Sequence, residues 1–321
     1  MNLFYKKNLT PHKFYLLLAV AATLALVLPL QSKALTISPT IKEFSLDPGS
    51  ALAGQILVIN EENKTLQIST IVKNFVPARD DGAPKFIDST SGLSAWISAK
   101  EKLFILLPGT KKIISYTINI PKNAPPGGHF AGILIKSKPA EAGEVAGNAV
   151  IENQIGSLIL VRVSGDVIED GRTNEFFLER DNLFAGKKKF SIRFENFGNT
   201  FLKPYGIIKI YNFFGKQIEG LSVNDEGGNV LPRSGRKFDV IWQTGLGEGN
   251  GRRIFFGKHK VALSLVYGSN NKEERSEINF WLINKEGALI ALAIVVILML
   301  FVFLAVISIR KKRFFVEKIK K

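Results

Sequence analysis

Two histidines, two acidic pairs and one glycine-dense stretch are the places where residue type and spacing in this sequence invite chemistry. His129 and His259 are the histidines outside the apolar leader. A Ser/His/Asp mechanism needs a histidine within hydrogen-bond reach of a nucleophile and of an orienting carboxylate. These two fall in different predicted domains, and no spacing joins either to such partners. His129 follows Gly127-Gly128 and reads as a loop residue, and no histidine pair has the spacing of a zinc site. Asp80-Asp81 and Asp225-Glu226 are each followed by glycine. A calcium loop alternates oxygen ligands and ends in a bidentate glutamate, and neither segment does so. Both read as solvated turns. Gly245 to Gly251 is neither followed by GK[ST] nor set at the start of a helix, so it reads as a hairpin tip and not a phosphate loop. Leu231-Pro232-Arg233-Ser234-Gly235 resembles a sorting signal. It carries Ser where Thr is expected and lies well before the C-terminal apolar run, so the match reads as coincidence. There is no cysteine, which excludes disulfides, thiolate metal sites and thiol catalysis. The expectation is a protein that is not an enzyme, with no catalytic residue, no cofactor and no metal. A carboxylate pair brought together by folding stays open as a route to hydrolysis.

The ends of the chain explain most of its charge. The net charge is +15. Lys6, Lys7, Lys13 and Lys33 precede residue 35 with no acid among them, and seven cations against Glu317 follow from Arg310 onward. Between these ends lie 32 cations and 27 acids, so the excess is membrane-targeting charge and not a nucleic-acid footprint. Phe14 to Leu30 is an apolar run behind a basic flank, and small residues stand at Ser32 and Ala34. This predicts a signal peptide over 1–34, cleaved after Ala34, with an uncleaved anchor as the alternative. Ala288 to Ile309 is uncharged and, at 1.5 Å per residue, about 33 Å long, enough to cross a bilayer. Arg310, Lys311, Lys312 and Arg313 follow it at once. Positive charge stays inside, so the sequence predicts a membrane helix over 286–309, a cytoplasmic tail over 310–321, and everything between the two apolar runs outside the cell. The tail past Phe314 reads as too short to fold.

The chain that these segments would hold reads as strand throughout. Ile56–Asn60, Leu66–Val72, Leu103–Leu107, Ile113–Ile120, Phe130–Ile135 and Ser157–Val163 are short, β-branched or aromatic, and several alternate apolar with polar. Asp47-Pro48-Gly49, Pro108-Gly109 and Pro125-Pro126-Gly127-Gly128 separate them with turn chemistry. Ser137 to Asn153 reads as a long loop. A second set of strands begins near Thr173 and includes Lys187–Asn196, Gly206–Phe213, Val230–Trp242, Arg253–Tyr267 and Ser276–Leu282. The fold class expected is all-β, two immunoglobulin-like sandwiches over 35–168 and 169–285, with the linker at Ile168-Glu169-Asp170-Gly171.

Phe44-Ser45-Leu46-Asp47-Pro48-Gly49 followed by a strand ending Val58-Ile59-Asn60 resembles the start of the WxL-interacting protein family. Pro121 to Ile133, Asn196-Phe197-Gly198-Asn199 with Pro204 and Gly206, and Leu231-Pro232 before Trp242 add to the resemblance. Val76 to Gly82 stands where that family carries an asparagine-rich stretch. The resemblance implies two sandwiches ahead of one membrane helix, and binding to a surface partner protein and to peptidoglycan without catalysis.

Consecutive strand residues face opposite sides of a sheet. Phe213-Phe214 and Phe255-Phe256 therefore each put one ring off the core, either under a neighbouring loop or domain or on a partner-binding patch. The function expected is a membrane-anchored extracellular binding or scaffold protein that recognises a surface protein or a wall polymer. The alternatives are an exported assembly chaperone that adds a strand to its clients, or a non-catalytic accessory subunit of a surface enzyme.

Overall fold

A computed structural model of the chain describes residues 34–140, 152–179, 187–243, 256–283 and 285–319. Residues 1–33, 245–251 and Phe255, and with them the expected signal peptide and hairpin tip, lie outside the described residues.

Strands up to Val163 build one sandwich. β1 (Leu35–Ser38), β3 (Ala51–Asn60), β8 (Lys111–Asn119) and β6 (Ile97–Ala99) form a sheet in the order β1-β3-β8-β6. β2 (Ile41–Leu46), β10 (Asn153–Val163), β9 (Gly127–Pro139), β4 (Leu66–Pro77) and β5 (Pro84–Ile87) form the second in that order, and β7 (Leu103–Leu106) also pairs with β4. The first strand is divided at Pro39. Proline has no N–H with which to continue a ladder. β1 therefore stays with β3, while β2 crosses to run parallel with β10. Alternate residues do the packing, with Ile56 and Val58, Ile114, Tyr116 and Ile118, Ile133 and Ile135, and Ile159 and Val161 buried between the sheets. Each such side chain contributes about 2 kcal/mol by leaving water. A short helix, α1 (Leu93–Trp96), drops Leu93 into the same core. Ser137, which the sequence assigns to a loop, is a buried strand residue of β9, because that hairpin arm runs on to Pro139.

Strands from Gly171 onward build a second sandwich. β11 (Gly171–Leu178), β12 (Lys187–Asn196) and β15 (Ser234–Gln243) face β14 (Gln217–Val223), β13 (Tyr205–Tyr211), β16 (Phe256–Tyr267) and β17 (Lys272–Ile283). Its core is aromatic. Trp242 stacks on Phe190 at 6.4 Å and meets Phe280 edge-on at 6.3 Å. The fold is thus all-β in both halves.

The strand expected to run to Phe213 stops at Tyr211. Asn212 turns the chain: its Oδ1 accepts the N–H of Phe214 and that of Lys216, each at 3.0 Å. Phe213 and Phe214 are therefore turn residues, 67% and 88% exposed, and neither is a core residue.

One long helix closes the described chain, α2 (Lys285–Ile319). Gly287–Ser308 has a mean hydropathy of 3.5, is long enough to cross a membrane, and is largely exposed from Leu289 onward. Its backbone stays helical through Arg310–Arg313 to Ile319, where the sequence reads an unfolded tail. Lys, Arg, Glu and Phe interrupt nothing, since none of them breaks a helix.

Candidate binding surfaces

No group of three or more His, Asp or Glu able to hold a metal is found among the described residues. His129 lies on β9, its Nε2 2.8 Å from the carbonyl of Pro125 and its ring 4.6 Å from that of Trp96. His259 is buried in the second core, stacked on Phe280 at 5.6 Å with Nδ1 3.0 Å from the Gly257 carbonyl. Burial pushes its pKa down, against the smaller opposing effect of that hydrogen bond. The two histidines face unlike surroundings in different sandwiches.

The sandwiches meet along a built junction. The outer face of the β2-β10-β9-β4-β5 sheet carries Phe75, Phe86, Phe130, Leu158 and Leu160, which pack with Phe201 and Leu231 of the second sandwich. Phe86, Phe75, Phe130 and Phe201 form a relay of rings at 6.0, 5.8 and 6.1 Å that crosses from one sandwich to the other. Glycines set how closely the backbones approach. A Cβ on Gly127, whose φ is +115°, would stand 2.5 Å from the Asn199 carbonyl. That carbonyl accepts the N–H of Gly128 at 2.8 Å. Asn199 in turn fastens the linker, with Oδ1 accepting the Ile168 N–H at 2.8 Å and Nδ2 donating to the Asp166 carbonyl at 2.9 Å. Lys203 and Asn229 both reach Glu43, at 2.9 and 2.7 Å. Glu169 binds Arg162 of β10 and accepts the N–H and hydroxyl of Ser269 at 2.8 and 2.7 Å.

The acidic pairs stand in exposed turns, as the sequence reads them, and both turns border this junction. Asp80 accepts a hydrogen bond from Arg193, and its carbonyl accepts the Lys237 N–H at 2.6 Å. Its hydrogen bond raises the Arg193 pKa, with a smaller contribution from Glu195. The Asp225-Glu226 turn lines a cleft of about 600 Å³ between the sandwiches. Phe75, Leu160 and Leu231 give this cleft an apolar floor, and Ile41 and Ile241 stand exposed at its rim. Arg236 projects between Gly82 and Gly228 and donates to the Asn229 carbonyl at 3.0 Å. Burial lowers its pKa, opposed by the nearby charges of Asp81 and Glu226.

A second surface lies on the first sandwich. β7 pairs with β4 from Leu66↔Leu106 to Ser69↔Leu103, and no strand among the described residues pairs with its other edge. Phe104 and Leu106 point into the core. Leu103, Ile105 and Leu107 point outward and are 64%, 54% and 56% exposed. Beside them, a groove of about 780 Å³ is lined by Leu57, Ile105, Leu107, Ile113 and the neighbouring Lys111 and Lys112. The outward residues are apolar at period two, as on an inner strand, yet they lie at an edge. Natural edges are usually guarded by charge, proline or covering chain. The apolar run Leu103–Leu107 was visible in the sequence. That its outward half stays uncovered was not.

The residues singled out from sequence do not gather into one site. Ala34 is exposed and joins the first sandwich, its carbonyl accepting the Glu61 N–H at 3.3 Å. Arg310–Arg313 lie on the far part of α2, and their side chains are outside the described residues. Phe213 and Phe214 form an exposed hairpin tip, edge-on to each other at 5.6 Å. Phe255 and the side chain of Phe256 are outside the described residues.

No family model matches this chain, and no curated protein matches it either. Among solved structures it is similar to the class 5 fimbriae chaperone CfaA, at 14% identity and a TM-score of 0.37 over 78% of this chain and 99% of that one. It is similar to the E. coli chaperone DraB, at 14% identity and a TM-score of 0.34 over 78% and 98%. It is similar also to the Salmonella enterica complex of SafA pilin with the SafB chaperone, at 14% identity and a TM-score of 0.32 over 79% and 99%. Likeness at this level carries no argument about what this chain binds.

Proposed function

We propose that this chain is a membrane-tethered, non-enzymatic binding protein that captures an extended segment of a secreted or surface protein by adding it as a strand along β7. The observation that carries this reading is the row Leu103, Ile105 and Leu107, exposed at alternate positions on an unpaired edge beside an apolar groove. Strand addition draws affinity from main-chain hydrogen bonds and specificity from pockets for alternate side chains, and this edge offers both. The tether is α2, whose apolar stretch is exposed on the structure from Leu289 to Phe303 and beyond, as a bilayer would require. The Arg310–Arg313 cluster supports a tail inside and sandwiches outside. The resemblance to WxL-interacting proteins supports a surface protein as the partner class and adds peptidoglycan as a second ligand. The test places a photo-crosslinking residue at Ile105, and separately at Tyr205 as control, in the full chain on producing cells. A protein adduct from Ile105 alone, abolished when Leu103 and Leu107 are both changed to Asp, is the expected result. Equal adducts at both positions, or indifference to the Asp changes, would overturn it.

A second reading, the exported assembly chaperone, is favoured by the cleft between the sandwiches, with its apolar floor and polar walls, flanked by β2 and β15, each paired with one strand only among the described residues. It predicts adducts that disappear during a chase as the client moves on, whereas a scaffold keeps them.

A further inference from the structure

We propose that the Phe213-Phe214 hairpin tip is a second membrane contact, which inserts its two rings into the outer interface of the bilayer beside α2 and so fixes how the second sandwich stands on the membrane. This rests on α2 being the membrane tether. The strand register supplies the geometry. β17 runs toward the membrane, and its last pairs are Leu282↔Gly257 and Ile283↔Phe256. β13 runs beside β16 in the opposite sense to it and ends at Tyr211, opposite Lys260. The β13–β14 turn therefore projects from the same end of the sheet as the end of β17. Phe213 packs there: a Cβ on Gly257 would lie 3.7 Å from the Phe213 Cβ. Gly257 holds φ +103°, a conformation that glycine adopts without strain. The tip thus stands level with Leu282, about 10 Å to the side at two strand spacings. Only five residue steps separate Leu282 from Gly287, where the apolar stretch begins, a reach of at most about 18 Å. The headgroup layer accounts for roughly 6 Å on each side of the bilayer. The junction with the first sandwich is at the opposite end of the sheet, at Tyr205 and Gly268.

The chemistry of the tip suits that layer. The Asn212 hydrogen bonds hold a tight turn, so two rings are presented at little entropic cost. Lys216 in the turn and Lys258 on β16 are exposed, and Trp281, 64% exposed, stands across from Lys258. Aromatic rings with adjacent lysines are the composition of an interfacial anchor, the rings entering the acyl boundary and the ammonium groups meeting lipid phosphates. A hairpin tip facing water alone has no reason to hold two phenylalanines.

The chain lacks cysteine, so one can be introduced at a time in the full-length protein and labelled with a fluorophore. Phe214→Cys reads the tip, Leu292→Cys reads the span, and Tyr205→Cys reads the far end of β13. The probes are liposomes of phosphatidylcholine and phosphatidylglycerol carrying nitroxide lipids labelled either near the carbonyls or deep in the chains. The expected result is roughly twofold quenching at Phe214→Cys by the shallow label, little by the deep one, strong deep quenching at Leu292→Cys, and none at Tyr205→Cys. Quenching at Leu292→Cys with a tip as unquenched as Tyr205→Cys would overturn the proposal while leaving the tether intact, and would return the two rings to a protein partner. No quenching at Leu292→Cys would remove the tether reading and this proposal with it.

Discussion

Asn60 and Asn196 show what one residue does at the end of a strand. Each is fully buried, and each uses its side-chain amide in the same way. Asn60 donates to the Lys64 and Leu106 carbonyls at 2.8 and 3.0 Å and accepts the Glu62 N–H at 3.0 Å. Asn196 donates to the Thr200 and Val230 carbonyls at 2.7 and 2.9 Å and accepts the Gly198 N–H at 2.9 Å. The amide supplies the partners that the backbone loses when it leaves the sheet. Changing either residue to Ala removes three hydrogen bonds from a buried turn, and the cost expected is about 2–3 kcal/mol. Chemical denaturation of the full chain in detergent checks this, and a loss under half a kcal/mol at either site would show that water replaces the amide. Glu179 is a charged counterpart. Hydrogen bonds from Lys189, then Lys237 and Ser191, hold its carboxyl at about 2, below the ordinary 4.5. The unfolded chain takes up that proton near 4.5, so the stabilisation from Glu179 is complete above that value and is lost as pH falls toward about 2. Glu179→Gln is therefore expected to lower Tm above the ordinary carboxylate range and to match the parent near the acid end. A Tm difference constant with pH would refute the assignment.

At the scale of elements, β7 and the β13–β14 turn have one thing in common, since both leave neighbouring large apolar side chains uncovered. Their sequences are ordinary: Leu103 to Leu107 is a continuous apolar run like a strand covered on both faces, and Phe213-Phe214 looks like the end of one. Alternation tells which residues share a face, and it cannot tell whether a second layer covers that face. On β7 one face meets the core through Phe104 and Leu106, while the other meets solvent. At Phe213 the strand had already ended, because Asn212 offers the backbone an alternative to the ladder. Both segments lie at strand ends or edges, where burial depends on what the rest of the chain brings alongside.

At the scale of the molecule, the two sandwiches are joined by more than their linker. The ring relay, the Glu43 contacts and the Asp80–Arg193 pair couple them, so the two sandwiches are expected to unfold as one unit. Phe201→Ala removes the last ring of the relay without touching either main core. Calorimetry should then resolve two transitions in place of one, with a loss of about 2 kcal/mol in the earlier one, less than for a fully buried Phe because Phe201 is only partly enclosed. Two transitions in the parent protein would show instead that the junction is too weak to couple the halves. A coupled pair matters for the function proposed, because it holds the β7 edge at a set distance and angle from the membrane.

The sequence by itself determined the classes of structure. Composition and period two made the chain β-rich, the apolar run before Arg310 made one long helix, and the lack of cysteine excluded disulfides and thiol chemistry. These are properties of neighbouring residues, and local patterns report them. Tertiary structure decided the rest. Asp80 reads as a turn acid until Arg193, more than a hundred residues away, is brought against it. Gly127 reads as part of a Pro-Gly turn until the Asn199 carbonyl occupies the space where a Cβ would stand. Ile105 reads as core until its edge is left open. In each case the deciding quantity is which distant surface arrives beside the residue, and that follows from how sheets pair and dock, which no short window of sequence contains.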